Sequence, residues 1–129
     1  MVVDTSALIA VVLREPLAAR LARAIAASPS VVSAGTLIEA SIVALSRAQE
    51  RGVRSLDAAV SSLAVAVVPV TAAHVLVARA AFADYGKGRH PAALNFGDCF
   101  SYAPARGRGE PLLFVVQDFS QTDVGAAPY

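Results

Sequence analysis

The sequence predicts an α/β fold in which a parallel sheet is covered on both faces by helices. Three observations carry this. Short apolar runs at Val2–Val3, Ser30–Ser33, Val65–Val70 and Leu112–Val116 alternate along the chain with stretches of helical periodicity. The runs lack the polar alternation of a sheet with one wet face, so both of their faces are expected to be buried. In a chain of 129 residues, a 56% hydrophobic content suffices for the core of one domain, taken to span residues 1–129.

Taken in order, Val2–Val3 is a buried strand that passes through Asp4, Thr5 and Ser6 into a helix over Ala7–Leu13. Asp4 or Thr5 can cap that helix, or Asp4 can serve a ligand at the carboxyl edge of the sheet; the stretch leaves both readings open. Pro16 opens a second helix with Leu17, Leu21 and Ile25 as its apolar stripe, ended by Ser28-Pro29. After the second strand, a helix runs from Thr36 to about Arg51-Gly52, with Thr36 and Glu39 at capping-box spacing. A shorter helix over Leu56–Leu63 leads into the third strand, whose pairing Pro69 limits.

Thr71 caps a helix over Ala72–Tyr85 with Val75, Ala78, Ala81 and Phe82 as its inner face, and His74 in its first turn is given no role. A tight basic loop, Gly86 to Pro91, follows. Asn95 and Asp98 have the spacing of a capping box for a helix to about Ala105, which Pro104 is expected to kink or shorten. The fourth strand ends before Asp118. The tail from Gly125 to Tyr129 has no pattern and is expected to be loosely ordered.

Composition narrows the function. A net charge of +1 means that any polyanion must meet a local patch rather than a generally basic surface. The single cysteine, Cys99, cannot form an internal disulfide and reads as a small core residue. No apolar run reaches the roughly 18 residues of a membrane span, and the start lacks a signal-peptide pattern, so a cytoplasmic location is expected.

Chemistry is indicated by the acids. Asp4 and Asp118 follow strands, while Glu39 and Asp98 lie in the first turns of helices; right-handed crossovers bring such junctions to one edge of the sheet. Clustered carboxylates raise one another's pKa unless a divalent cation neutralises them, and an all-oxygen set selects Mg²⁺ or Mn²⁺ over zinc. Such an edge suits phosphodiester hydrolysis by metal-activated water. Because acids repel a polyanion, cations are needed nearby, and Lys87, Arg89 and His90 are the candidates for contacting an RNA backbone.

These residues, namely Val3-Asp4-Thr5-Ser6-Ala7-Leu8, Glu39 opening a helix, Tyr85 to Pro91, Leu94 to Ala103, Pro111 to Phe114 and Asp118 to Asp123, resemble the VapC-type ribonucleases of the PIN-domain family over essentially the whole chain. The resemblance implies a three-layer α/β/α domain with a central parallel sheet. It also implies a Mg²⁺- or Mn²⁺-dependent endoribonuclease acting as the toxin of a type II toxin-antitoxin system. Asp4, Glu39, Asp98 and Asp118 match the catalytic and metal-binding acids, with Asp123 a possible substitute for Asp118. Thr5 and Ser6 match the polar pair that orients the metal's ligands. A VapB-type antitoxin is the implied partner, with a homodimer and a toxin-antitoxin hetero-oligomer as assemblies. The chain departs from the pattern at Val115-Val116-Gln117, where relatives usually carry Lys-Gly-acid. That departure motivates a second reading, a weakly active or inactive PIN-fold module retained for antitoxin or RNA binding.

Overall fold

The computed structural model describes residues 1–129. In chain order it contains β1 (Val2–Val3), α1 (Thr5–Val12), α2 (Ala18–Ala26), β2 (Val31–Ser33), α3 (Ala34–Ser62), β3 (Ala66–Val68), α4 (Ala72–Tyr85), α5 (Phe96–Arg108) and β4 (Leu112–Leu113). A 3-10 turn over Asp118–Gln121 follows β4. All strands are parallel, in the order β3-β2-β1-β4, with Val2 registered against both Val31 and Leu112.

The side chains of the short strands alternate between two separate cores. Val3, Val32 and Leu113 point into one, packed with Ala7, Leu8 and Leu21 and with Ala40, Ala44 and Leu56 of α3. Val2, Val31 and Leu112 point into the other, with Ala81, Leu94, Tyr102, Ala105 and Phe119. Helices α1, α2 and α3 therefore cover one face and α4 and α5 the other, the three-layer arrangement expected. No helix is long and apolar enough to cross a membrane.

Sequence order and strand order part company at β1: β2 and β3 build outward on one side, and β4 returns to the other. At such a reversal the loops leaving adjacent strands diverge and open a crevice at their carboxyl ends. Asp4 follows β1, and the turn bearing Asp118 follows β4.

Several elements differ from expectation. The run Val65–Val70 forms a three-residue edge strand with Ala66 and Val67 exposed, because β3 has a neighbour only in β2 and projects beyond the covering helices. The two helices expected on either side of Gly52 are present within α3, but they divide earlier, at Ala48 and Gln49, where the backbone is non-helical and Gln49 has φ 53°. Gly52 lies beyond that break, where a Cβ would strike the Ala44 carbonyl oxygen, so this glycine serves close approach rather than ending a helix. Helix α5 runs through Pro104 to Arg108 and stops at Gly109, with φ 64°; burial of Tyr102, Ala103 and Ala105 against the sheet holds it in place.

The expected inner face of α4 buries only Ala81, while Val75 and Phe82 stay exposed, since this helix packs on α5 rather than flat on the sheet. Strand β4 ends at Leu113, after which the Val115 N–H donates to Ser6 Oγ at 3.1 Å instead of to a strand. The tail is not loose. Ala127 is buried and donates its N–H to Leu112 at 2.8 Å, and the Arg20 guanidinium both stacks on the Tyr129 ring and donates to its backbone oxygen at 2.5 Å.

Candidate active site

Asp4 both caps a helix and lines a cavity at the carboxyl edge of the sheet. It is the N-cap of α1, its Oδ2 accepting from the Ser6 N–H at 2.9 Å and the Ser6 hydroxyl at 2.7 Å. Its Oδ1 accepts from Ser101 Oγ at 2.7 Å, and Ser101 in turn shares a 2.9 Å hydrogen bond with the Thr36 hydroxyl. Asp4 is 3% exposed, and its negative charge is met by hydroxyls and a backbone amide rather than by a cation. Donors from α1 and α5 together thus hold the carboxylate in one orientation.

Glu39 departs from its capping-box reading. Helix α3 leaves β2 directly at Ala34, so its N-cap is Ser33, whose hydroxyl accepts from the Gly35 N–H at 3.3 Å. Thr36 is fully buried and spends its hydroxyl on Ser101. Freed from a capping role, the Glu39 carboxylate accepts from the Thr5 hydroxyl at 2.6 Å. It also lies against the backbone of α5, where a Cβ on Gly97 would collide with it. A side chain at position 97 would displace the acid, which is the physical reason for the glycine.

Asp98 forms the expected capping box: Asn95 Oδ1 accepts from the Asp98 N–H at 3.1 Å, and Asp98 Oδ2 accepts from the Asn95 N–H at 2.7 Å. The cap does not account for its environment. Burial pushes its pKa from 3.8 up to about 7, with the Asn95 N–H pulling the other way and the charges of Asp4, Asp118 and Glu39 adding to the rise. The same burial, with the charge of Asp98, raises the pKa of the neighbouring Cys99 thiol; that cysteine is the core residue expected.

Asp4, Glu39, Asp98 and Asp118 all line one cavity of about 300 Å³, together with Thr5, Ser6 and Asn95. Asp123, the possible substitute for Asp118, does not line this cavity. Its carboxylate accepts from the Tyr102 hydroxyl at 2.5 Å and pairs with Arg106 at 3.2 Å, away from the cavity. Glu39 Oε1 and Asp98 Oδ1 accept no hydrogen bond from the protein, and none of the four acids is in an ion pair. All the charged donors are oxygens, a set suited to a hard divalent cation. As they stand, no three of the acids converge on one point, and repulsion across the cavity opposes closer approach.

The sequence reading missed two charged residues of this cavity, Arg47 and Glu15. For Arg47 a signal existed: Glu39, Val43 and Arg47 fall at i, i+4 and i+8 on one face of α3. Glu15, in the turn after α1, carried none. Conversely, the basic loop does not reach the acids. Lys87 is exposed outside the cavity, Arg89 lines a separate apolar groove between α4 and α5, and His90 accepts from the Ala92 N–H while meeting Tyr85 edge-on. Val115 and Val116 are part of the acid cavity's wall, so the departure from the Lys-Gly-acid pattern falls at the site itself.

Comparison with known proteins agrees with this architecture. The PIN domain family matches residues 1–125. A ribonuclease VapC of Mycolicibacterium smegmatis is 48% identical over 127 residues, covering 98% of each chain. Ribonuclease VapC30 of Mycobacterium tuberculosis is 46% identical over 125 residues, covering 96% of this chain and 95% of its own. Among solved structures, that of Mycobacterium tuberculosis VapC20, a toxin that cleaves the sarcin-ricin loop, superposes with a TM-score of 0.77 at 23% identity over 95% of each chain, a likeness of fold. With the whole domain matched and near-full-length relatives approaching half identity, this chain belongs to the PIN-domain family, among the VapC ribonucleases.

Proposed function

We propose that the chain is the toxin of a type II toxin-antitoxin pair, an endoribonuclease in which Asp4, Glu39, Asp98 and Asp118 hold a Mg²⁺ or Mn²⁺ ion. The observation that carries this reading is that four carboxylates, drawn from segments as far apart as residues 4 and 118, line one cavity and remain without a cationic partner. Asp4 and Asp98 are the principal ligands, and Glu39 and Asp118 complete the set. When bound, such an ion neutralises charge on the phosphate under attack and lowers the pKa of a water nucleophile.

The chain's own side chains do the positioning. Ser6 and Ser101 fix the two oxygens of Asp4, Thr5 turns Glu39, and Asn95 restrains one oxygen of Asp98 while leaving the other free. An RNA phosphodiester is the substrate bond. A VapB-type antitoxin is the partner that silences the site, and a homodimer that joins the antitoxin in a hetero-oligomer is the assembly. Lys87, Arg89 and His90 would guide RNA outside the acid cavity.

Purified protein incubated with RNA and Mg²⁺ or Mn²⁺ is expected to cleave, and EDTA, Asp4→Asn or Asp98→Asn to abolish cleavage without unfolding. Unchanged cleavage by Asp98→Asn would remove the active-site assignment. The two valines in the cavity wall favour one competing reading, a module that binds antitoxin but does not cut. Antitoxin binding without cleavage at any divalent-metal concentration would establish that reading instead.

A further inference from the structure

A divalent ion among the acids meets the phosphate under attack, and the flanking phosphates of an RNA chain still face uncompensated carboxylates unless a side-chain cation stands within the same cavity. The loop that carries Lys87 and Arg89 does not line it, and Arg47 is its one basic residue. Arg47 is exposed and takes part in no ion pair, although five acids, Glu15 among them, line the cavity it shares. It stands on the face of α3 that carries Glu39 and Val43, one residue before the break at Ala48 and Gln49. The cation therefore sits at the end of a straight helical segment rather than on a loop. Eight residues beyond Glu39 is about 12 Å along the helix axis, which puts Arg47 at the cavity's far rim from the Glu39 carboxylate.

We propose that Arg47 is the side chain that holds RNA at this site, its planar guanidinium gripping a backbone phosphate next to the one cleaved. The inference rests on the nuclease reading above and moves the nearest phosphate contact from the basic loop to α3. Because the contact is to the backbone, Arg47 sets affinity and register and carries no base preference.

The test uses the full-length protein and a single-stranded RNA that it cleaves. Arg47→Gln is expected to raise KM about tenfold while changing kcat less than about threefold, as for loss of one charged hydrogen-bonding contact. In the Asp98→Asn background, where bound RNA stays intact, Arg47→Gln should make the plot of log affinity against log salt shallower by about 0.7, the value for one phosphate contact on a single strand. Arg47→Lys, which keeps the charge, should restore that slope. Arg51→Gln removes the same charge just beyond the break in α3, outside the cavity, and should change neither quantity. Wild-type cleavage with an unaltered KM and salt slope in Arg47→Gln overturns the inference, as does an equal effect of Arg51→Gln. Failure of the wild type to cleave RNA with either metal would instead remove the nuclease reading, and this inference with it.

Discussion

Replacing Asp98 by Asn should stabilise the metal-free protein, and only where the carboxyl would otherwise ionise. The folded-state pKa of about 7 lies above the ordinary 3.8, so the native state binds this proton more tightly than the unfolded chain does. The native state's advantage from the protonated carboxyl is therefore complete below about pH 3.8, falls as pH rises toward 7 and is gone above it. The full interval corresponds to about 4 kcal/mol, and solvent screening at the cavity mouth brings that to about 2 kcal/mol.

The amide introduced by Asp98→Asn cannot ionise, yet its side-chain oxygen can still accept the Asn95 N–H, so the helix cap survives the change. For a domain of this length, about 2 kcal/mol is a rise in Tm of about 7 °C. Thermal unfolding in EDTA should show that gain in Asp98→Asn at pH 8 and about a third of it at pH 5. Adding Mg²⁺ should raise the wild-type Tm and leave the variant's nearly unchanged. A variant Tm at or below that of the wild type at pH 8 would refute the argument that burial and like charge make this acid unfavourable.

Other perturbations probe the remaining contacts. Ser101→Ala removes the hydroxyl that links Asp4 to Thr36 in a fully buried position, which should cost about 2 kcal/mol and lower Tm by about 7 °C in calorimetry, with cleavage reduced because Asp4 loses one of its orienting donors. Gly97→Ala places a methyl on the Glu39 carboxylate; since that flexible end can swing aside, stability should fall by less than about 2 kcal/mol while cleavage falls at least tenfold, read by comparing Tm with kcat. Deleting residues 126–129 breaks the Ala127 bond to Leu112 and uncovers one core, so Tm should drop by several degrees; an unchanged Tm would mean that the tail adds nothing to the fold.

Much of this protein is determined by sequence neighbours. Apolar runs separated by helical periodicity specify the strands, helices and layering, because alternation and capping depend on residues within about four positions of one another. The Asn95–Asp98 box and the position of Asp4 at a strand end were legible for that reason. Exposure of β3, the break at Gln49 and the anchoring of the tail were not, since each depends on what lies beside the segment in space. The same holds for the site. Local pattern put Asp118 after a strand and assigned the cations to the basic loop, while the family resemblance left Asp123 as a possible substitute. The fold separates them: β4 lies beside β1 and carries Asp118 into the cavity, Tyr102 and Arg106 take Asp123, and α3 brings Arg47 where the loop does not reach. Charges remote in the chain repel or pair according to distances that only the crossovers of the sheet set, so the acids are written in the sequence and their gathering around one cavity belongs to the fold.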